Sequence, residues 1–453
     1  MTLDTLLSKP AHIHFVGVGG AGIFPLVQIF HSQGHRLQGS DNNTGDTIEA
    51  EKQLGVNVFM GHAAQHIDGA DLIIHSAAIS SDNPELTAAK ERGLPVFERA
   101  QILGWLSERY SECICVAGSH GKTSATALLS QILICSGKDP TCVIGGKLPL
   151  IGGSGRSGQG NIMTLEACEY KDTFLRLSPD VSVILNVDAD HLEYFGDLSG
   201  VIRSFHKFAQ NTSRLIIACG DDQNTLASLQ GIDREILTFG FTNGCDYTAE
   251  NINIIEPTRQ EFDLAFRGQT LARISLRVPG RHNILNALAA CAAALAVGVT
   301  PAQLEETIPA FRGAGRRFEI LGKVRGITIA DDYAHHPAEL SATLNVAMQM
   351  GYDRVWAVFQ PFTYSRTYHF LDNFATALKI PDKVVLSPIM GGRENNTYGI
   401  EAAHLAEKIP GCQHFRTFAQ IAAHILENAA DGDLVITLGC GDVYKCAQLM
   451  LRS

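Results

Sequence analysis

The stretch Val116–Ser124 contains the residues whose types and spacing point most directly to chemistry. It reads Val-Ala-Gly-Ser-His-Gly-Lys-Thr-Ser, after the apolar run Ile114–Ala117 and before the alanine- and leucine-rich run Ala125–Cys135. This order predicts a buried strand, a glycine loop and a helix. In such a turn, backbone N–H groups and a helix N-terminus face an anion, while Lys122 adds a charge and Thr123 a hydroxyl for Mg²⁺.

The glycine spacing of this loop differs from that of the standard phosphate-binding pattern. Two residues separate Gly118 from Gly121, where the standard pattern has four before its Gly-Lys pair. The alternative is a tight strand-to-helix turn with an incidental lysine. Because the predicted strand and helix match the context that a phosphate loop requires, we interpret the chain as an ATP-dependent enzyme.

Two further predicted strands end in metal-binding types of side chain. Ile162–Leu165 leads into Glu166, and Val181–Leu185 is followed by Asp190 and His191. A carboxylate and an imidazole at these ends could hold Mg²⁺ against phosphate oxygens. The alternatives are a solvated strand end for Glu166 and a capping or core histidine for His191. Two such ends beside a Lys-Thr loop favour the metal site.

A second glycine cluster, Gly17–Gly22, follows the apolar run His12–Val16. A predicted helix, Ile23–His31, and a predicted strand, Leu37–Asp41, come next, in the order of a dinucleotide-type fingerprint with altered glycine spacing. Nicotinamide binding, nucleotide-diphosphate binding and plain tight packing all produce this pattern. Ser76 follows another predicted strand, at the end where open α/β sheets bind ligands.

The C-terminal third alternates apolar strands with helices and has polar clusters at two strand ends, Asp331–Pro337 and Gln360–Thr367. For the two aspartates, the alternative to a ligand site is a helix-capping turn before the proline. For Arg366 it is a solvated loop cation. Both clusters lie where α/β sheets bind ligands. A ligand-binding role and these structural alternatives therefore carry equal weight.

Three stretches between these clusters carry further predictions. The alanine-rich run Ile284–Val297 predicts a buried helix with Asn283 as its N-cap, although the preceding His-Asn pair could instead face a base. The glycine-rich stretch Gly145–Gly160 predicts a loop that moves or closes over a ligand. Phe311–Arg317 predicts a hinge with a basic cluster.

Composition is typical of a soluble globular protein. The chain has 453 residues, of which 45% are hydrophobic and 18% charged, and its net charge is −11. That length suggests about three domains, which we place at 1–111, 112–313 and 314–453. The negative charge argues against nucleic acid as a partner.

Cysteine usage and hydropathy predict a cytoplasmic protein. The eleven cysteines form no Cys-x-x-Cys pair, and reduced thiols explain them best. No signal peptide heads the chain, and no apolar run is long enough to span a bilayer. We therefore expect no membrane partner.

These pieces form an ordered set that resembles the Mur ligases of peptidoglycan precursor synthesis. The resemblance runs from about residue 12 to about residue 445. It rests on Gly17–Gly22, Ser76–Ile79, Gly118–Thr123, Glu166–Ala167, Asp190–His191, Gly280–Asn283, Gly315–Arg317, Asp331–Pro337, Phe359–Pro361 and Arg366–Thr367.

The resemblance implies an α/β protein of three domains. They are an N-terminal Rossmann-like domain for a UDP-sugar, a central P-loop-type ATPase domain, and a C-terminal Rossmann-like domain for an amino acid. It implies UDP-N-acetylmuramate, L-alanine and ATP as substrates, with Mg²⁺ as cofactor. It also implies amide formation through an acyl phosphate, by a monomer or weak homodimer.

The resemblance also assigns roles by position. The residues assigned to ATP are Gly118, Ser119, His120, Gly121, Lys122, Thr123, Ser124, His282, Asn283, Asn286, Arg317, Asp332 and Tyr333. Those assigned to the UDP-sugar are Gly17, Gly19, Gly20, Gly22, Asp41 and Ser76. The metal ligands are Thr123, Glu166 and His191, and the catalytic set is Lys122, Glu166, His191, His335 and Arg366.

Several positions depart from the family pattern. Members usually carry histidine at the position of Phe362, and some carry arginine at Thr363, which leaves the identity of the amino acid open. Cys168 stands where many members have aspartate. Lys207 lies near the region in which some members carry a carbamylated lysine.

Three alternative functions remain at this point. A murein-recycling ligase would join a tripeptide to the same UDP-sugar. A nicotinamide-dependent dehydrogenase would leave Lys122 and Glu166 without a role. A non-catalytic nucleotide-binding scaffold is disfavoured because Lys122, Glu166 and His191 are all intact.

Overall fold

The computed structural model describes residues 2–392 and 394–453 and contains three sheets flanked by helices. Contacts along the chain define two compact units. The first contains the residues up to Ile252, Phe262–Ser275 and His282–Phe311, and the second contains Asn253–Glu261, Leu276–Arg281 and the residues from Arg312 onward. The predicted α/β class is confirmed. The boundaries 1–111, 112–313 and 314–453 stay predictions.

The N-terminal sheet belongs to the first unit and is wholly parallel. Its strands are β1 His12–Val16, β2 Arg36–Asp41, β3 Asn57–Met60, β4 Leu72–His75 and β5 Val96–Glu98. Its helices are α1 Leu3–Leu6, α2 Phe24–Ser32, α3 Asp46–Gln53, α4 Pro84–Glu91 and α5 Arg99–Ser107. The strand order β3-β2-β1-β4-β5 is that of a Rossmann-type sheet, as predicted.

The middle sheet contains ten strands. They are β6 Glu112–Ala117, β7 Thr141–Leu148, β8 Gly153–Arg156, β9 Ile162–Glu166, β10 Val181–Ile184, β11 Leu215–Cys219, β12 Glu235–Gly240, β13 Tyr247–Glu256, β14 Arg259–Phe266 and β15 Gln269–Leu276. Their order is β15-β14-β13-β12-β11-β10-β6-β9-β7-β8. Because β10, β6 and β9 are neighbours and parallel, their carboxyl ends meet at one edge.

The helices of the middle segment differ from the prediction in one place. They are α6 Lys122–Cys135, α7 Leu192–Phe195, α8 Leu198–Gln210, α9 Gln223–Ser228, α10 Arg281–Ala296 and α11 Pro301–Thr307. Six of the seven alanines of α10 are buried, as predicted. The helix begins at Arg281, so the prediction of Asn283 as its N-cap is wrong. Asn283 lies in the first turn and accepts a hydrogen bond from Asn286 Nδ2 at 3.1 Å.

The prediction of an irregular loop over Gly145–Gly160 is also wrong. Half of this stretch lies in β7 and β8, which pair as an antiparallel hairpin. The N–H groups of Ser154 and Gly155 donate to Gln28 Oε1 at 2.9 and 2.8 Å. A side chain at Gly155 would collide with the backbone of Pro25. Its glycine therefore permits close packing of the hairpin on α2.

The C-terminal sheet belongs to the second unit. Its strands are β16 Glu319–Val324, β17 Ile327–Asp332, β18 Val355–Phe359, β19 Lys383–Leu386, β20 Gln413–His414 and β21 Leu434–Leu438. Its helices are α12 Pro337–Met348, α13 Tyr364–His369, α14 Leu371–Ala377, α15 Ala402–Ala406, α16 Phe418–Asn428 and α17 Tyr444–Leu451. The order is β16-β17-β21-β18-β19-β20, with β16 antiparallel to β17 and the other pairs parallel.

Glu51 is a fully buried carboxylic acid on α3. Neither of its carboxyl oxygens has a hydrogen-bond partner among the described residues. Burial raises its pKa to about 9, and the nearby Asp41 carboxylate adds to the shift. Between its ordinary pKa and about 9, the folded chain binds one proton more than the unfolded chain, so stability falls as the pH rises.

We expect Glu51→Met to be more stable than the wild type, because methionine fills the same space and cannot ionise. The gain should grow from about pH 5 to about pH 9, by at most about 1.4 kcal/mol per pH unit. Thermal unfolding midpoints at acidic and alkaline pH measure it. Glu49→Gln is the control, since Glu49 is exposed on the same helix and pairs with Lys52. A gain that does not change with pH would contradict this assignment.

Candidate active site

The loop between β6 and α6 has the geometry of an anion-binding turn. Gly118 has a φ of +149° and Gly121 a φ of +85°, and Gly121 is the residue that caps α6. A Cβ atom at Gly121 would lie 2.5 Å from Asn286 Oδ1. The N–H of His120 donates to Asn186 Oδ1 at 2.8 Å, which ties the loop to the chain after β10. Position 121 therefore requires glycine, because its φ is positive and because a side chain there would collide with Asn286.

Lys122 is held by an ion pair that the sequence did not reveal. Its Nζ lies 3.0 and 2.9 Å from the two carboxylate oxygens of Glu169, and it also donates to the carbonyls of Gly118 and Ser119. Burial lowers the pKa of Lys122, but the charge and hydrogen bond of Glu169, together with the charges of Cys168 and Glu166, raise it above its ordinary value. Since Glu169 is only 2% exposed, the pair places a charged lysine firmly on the loop.

Oxygen ligands meet at the carboxyl end of β9. Thr123 Oγ1 donates to Glu166 Oε1 at 3.1 Å, and the N–H of Gly145 donates to Glu166 Oε2 at 2.7 Å. A side chain at Gly145 would collide with the Glu166 carboxylate. A hydroxyl beside a carboxylate at a phosphate loop is a donor set that suits Mg²⁺, which takes few protein ligands and keeps phosphate oxygens and water.

His191 lies beyond β10 in a strained backbone position. Its φ is +55°, it precedes α7, and its N–H donates to Asp190 Oδ1 at 2.8 Å. Its ring packs on Tyr170 with a centroid separation of 4.7 Å. Positive φ is uncommon outside glycine, and residues held in such backbone conformations cluster at functional sites. Its role as a metal ligand stays a prediction.

The N-terminal glycine cluster packs against the ends of β2 and β4. The N–H of Gly19 donates to Asp41 Oδ2 at 3.0 Å, and the N–H of Gly20 donates to the carbonyl of Gly17 at 3.2 Å. The N–H of Ser76 donates to the carbonyl of Val16 at 3.3 Å. The predicted fingerprint residues are therefore brought together at one edge of the sheet.

In the second unit, Asp332 is a buried carboxylate at the end of β17. It accepts hydrogen bonds from the N–H groups of Phe318 and Ala334, both at 2.7 Å. Burial raises its pKa to about 6, against the opposing effect of Arg317. The guanidinium of Arg317 lies 5.1 Å from the ring of Tyr333. Arg317, Asp332 and Tyr333 thus form one cluster, and their role in ATP binding stays a prediction.

The alternative interpretation of Asp331 and Asp332, a helix-capping turn before Pro337, is wrong. The N-cap of α12 is His336, which shares a capping box with Glu339. Asp331 instead accepts from Arg316 Nε at 2.8 Å, and this guanidinium also donates to the carbonyls of Gly439 and Gly441. Arg316 therefore ties the ends of β17 and β21 together.

His335 and Arg366 lie in the same unit, after β17 and on α13. His335 Nδ1 lies 3.2 Å from Glu339 Oε2 and 3.1 Å from the carbonyl of Tyr333. Thr363, one of the positions that departs from the family pattern, caps α13 by accepting from the N–H of Arg366 at 3.3 Å. A capping requirement at the start of α13 explains a threonine there.

Three domain models match the chain in order. They are the Mur ligase family catalytic domain at residues 12–111, the Mur ligase middle domain at 116–294, and the Mur ligase glutamate ligase domain at 316–441. The chain belongs to the Mur ligase family.

Relatives within the Mur ligases match over the whole chain. A UDP-N-acetylmuramate–L-alanine ligase of Caldanaerobacter subterraneus is 39% identical over 452 residues, which are 98% of each chain. One of Clostridium botulinum is 38% identical over 458 residues, with both chains covered completely.

Two solved structures of Mur ligases also match over 98% of both chains. The UDP-N-acetylmuramate-alanine ligase of Thermotoga maritima is 27% identical, with a TM-score of 0.85. The murein peptide ligase of Psychrobacter arcticus is 25% identical, with a TM-score of 0.77. The first fold match is therefore the better of the two.

Residues 2–392 and 394–453 contain neither a cluster of metal-ligand side chains nor a helix suited to crossing a membrane. No set of three or more histidine, cysteine, aspartate or glutamate side chains is arranged to hold a metal ion by itself. In the same residues, no helix combines the length and the apolar character that a membrane span needs.

Proposed function

We propose that this Mur ligase joins L-alanine to UDP-N-acetylmuramate at the expense of ATP, in peptidoglycan precursor synthesis. The observation that carries the proposal is identity of 38–39% to UDP-N-acetylmuramate–L-alanine ligases over essentially the full chain. The lactyl carboxylate of the sugar attacks the γ-phosphoryl group of ATP and releases ADP. The amine of alanine then attacks the acyl phosphate, and phosphate leaves as the amide forms.

Positioning and charge, rather than a protein nucleophile, account for catalysis in this proposal. The charged Nζ of Lys122 lies against the carbonyls of the phosphate loop, and the loop leads into the N-terminus of α6, whose first N–H groups have no partner within the helix. Such donors stabilise negative charge on a transferring phosphoryl group. Mg²⁺ held by Thr123, Glu166 and His191 would neutralise phosphate charge. Thr123 and Glu166 are already in contact and need no rearrangement to share a ligand.

The remaining ATP contacts are proposed from two clusters. Asn286 packs against Gly121 and bonds Asn283, and the neighbouring His282 is exposed, which supports an adenine-side surface. In the second unit, the cluster of Arg317, Asp332 and Tyr333 supports a second set of nucleotide contacts. For the UDP-sugar, the proposed residues are Gly17, Gly19, Gly20, Gly22, Asp41 and Ser76.

ADP release with UDP-N-acetylmuramate and a panel of amines tests the proposal. We expect turnover with L-alanine that depends on ATP, Mg²⁺ and the sugar together, and less turnover with glycine or serine. The second candidate, a murein-recycling ligase, is supported by the fold match to the Psychrobacter enzyme. Preference for the tripeptide L-alanyl-γ-D-glutamyl-diaminopimelate would favour it, and no ADP release with any amine would overturn both.

We expect Arg366→Lys to raise the KM for alanine by roughly tenfold or more, with a much smaller change in the KM for ATP. Arginine offers a planar fork that matches the alanine carboxylate, and lysine does not reproduce it. Phe362 is apolar and the Thr363 hydroxyl caps α13, so neither residue offers a second positive charge to the alanine carboxylate. Steady-state kinetics with each substrate varied measure the effect. Equal losses for both substrates would assign Arg366 to phosphate instead.

A cytoplasmic location and a monomer or weak homodimer complete the proposal. All eleven cysteines are free thiols, which supports a reducing compartment. We propose no nucleic-acid and no membrane partner, in keeping with the net charge of −11. Sedimentation of the purified chain tests the oligomeric state.

A further inference from the structure

Arg99 is a charged side chain that the site residues above do not include. It is the first residue of α5, and its Nε donates to the carbonyl of Gly22 at 2.5 Å. A Cβ atom at Gly22 would lie 3.0 Å from Nε and 3.2 Å from Cζ of Arg99. The absence of a side chain at the last glycine of the fingerprint therefore makes room for this guanidinium.

The charge of Arg99 is not neutralised by a close partner. Arg99 makes no salt bridge with any of the residues that the structure describes, and its hydrogen bond to Gly22 uses only Nε. Burial lowers its pKa, and the side chains of Cys168, Glu166 and Glu98 oppose the shift at longer range. Its two terminal nitrogens have no hydrogen-bond partner among the described residues and are not among the buried unpaired atoms, so they are open to an anionic ligand.

The surroundings of Arg99 indicate which anion that is. Gly22 belongs to the proposed UDP-sugar cluster, and Glu166 belongs to the proposed phosphate and metal cluster. All three residues lie in the first compact unit. In the proposed reaction, the UDP-sugar must reach from the first cluster to the second, because its carboxylate attacks the γ-phosphoryl group. Arg99 bonds Gly22 of the first cluster and is close enough to Glu166 of the second for their charges to interact, and its guanidinium offers the fork that matches a carboxylate.

We propose that Arg99 binds the lactyl carboxylate of UDP-N-acetylmuramate and directs it towards the phosphate loop. This inference rests on the proposed function, because another substrate would bring another anion. The competing partner for Arg99 is the diphosphate of the same substrate. UDP-N-acetylglucosamine distinguishes the two, since it keeps the uridine, the diphosphate and the hexosamine but lacks the lactyl carboxylate.

The test is isothermal titration of the full chain with each UDP-sugar, in the absence of ATP and alanine. Wild type should bind UDP-N-acetylmuramate at least roughly tenfold more tightly than UDP-N-acetylglucosamine, as a charged bidentate pair predicts. Arg99→Gln should abolish most of that difference and leave the Kd for UDP-N-acetylglucosamine within about twofold. Arg92→Gln is the matched control, because Arg92 is exposed in the same domain and pairs with Asp68.

Each other outcome has a defined meaning. If Arg99→Gln weakens both sugars equally, Arg99 binds the diphosphate or only supports the loop, and the inference is overturned. If neither sugar is weakened, or wild type does not distinguish them, the inference is overturned as well. If wild type binds neither sugar, the proposed function itself fails. Should Arg99→Gln not fold, Arg99→Lys keeps the charge without the fork, and it should lose affinity for UDP-N-acetylmuramate alone.

Discussion

Lys122→Met is expected to lower the rate of ADP release by roughly a hundredfold or more, which corresponds to about 3 kcal/mol of transition-state stabilisation. Lys122 is the only lysine of the phosphate loop, and its Nζ lies within hydrogen-bond distance of the loop carbonyls of Gly118 and Ser119. Methionine keeps the apolar stem and removes the charge, so packing is disturbed little. Steady-state ADP release at saturating substrates measures the change.

Loss of Lys122 also leaves Glu169 buried without its cation. Breaking a buried pair from one side costs ~3–5 kcal/mol of stability, so low activity alone could reflect poor folding. The double variant Lys122→Met with Glu169→Gln removes both charges and should recover most of the thermal stability without recovering turnover. Recovery of turnover in the double variant would mean that Lys122 only neutralises Glu169 and does not act on phosphate.

The sequence predicted most strands and the central part of the site because both depend on local pattern. The strand before Gly118, the helix after it and the acid at the end of β9 follow from apolar runs and the residues that end them. Because β6 and β9 are parallel neighbours, their carboxyl ends then bring Thr123 and Glu166 together. The Rossmann-like N-terminal domain was implied by the resemblance to the Mur ligases rather than by local pattern, and its sheet has the corresponding strand order.

The errors arose where a glycine or a polar residue serves a distant contact. Glycines at 145 and 155 were read as a sign of flexibility, but they make room for Glu166 and for the backbone of α2. Asn283 was read as an N-cap, but its partner is Asn286 one turn later. Such choices depend on tertiary packing, which no local pattern contains.

The residues that the sequence missed share this cause. Glu169 follows Glu166 by three positions, and only the turn after β9 shows that it faces Lys122. Arg99 is an ordinary helix start in the sequence, and its significance depends on Gly22, which is remote in the chain. A charged residue three positions after a strand-end acid is a signal that could have drawn attention to Glu169. No comparable signal exists for Arg99.

Glu166→Gln is expected to lower turnover by roughly a hundredfold or more and to raise the Mg²⁺ concentration for half-maximal rate by roughly tenfold or more. Both carboxylate oxygens are already oriented, one by Thr123 and the other by Gly145, so the charge rather than the shape of Glu166 is the variable. Glutamine retains the size of glutamate but has only one acceptor oxygen, so it cannot accept from Thr123 and Gly145 through separate oxygens.

A Mg²⁺ titration of ADP release separates a metal ligand from a structural acid. Thr123→Val removes the hydroxyl and should shift the Mg²⁺ dependence in the same direction, because the two side chains would share one ion. Glu112→Gln is the control, since Glu112 begins β6 at the opposite end from the phosphate loop. If Glu166→Gln loses turnover at an unchanged Mg²⁺ requirement, Glu166 orients Thr123 and Gly145 for the phosphate, and the metal must be held elsewhere.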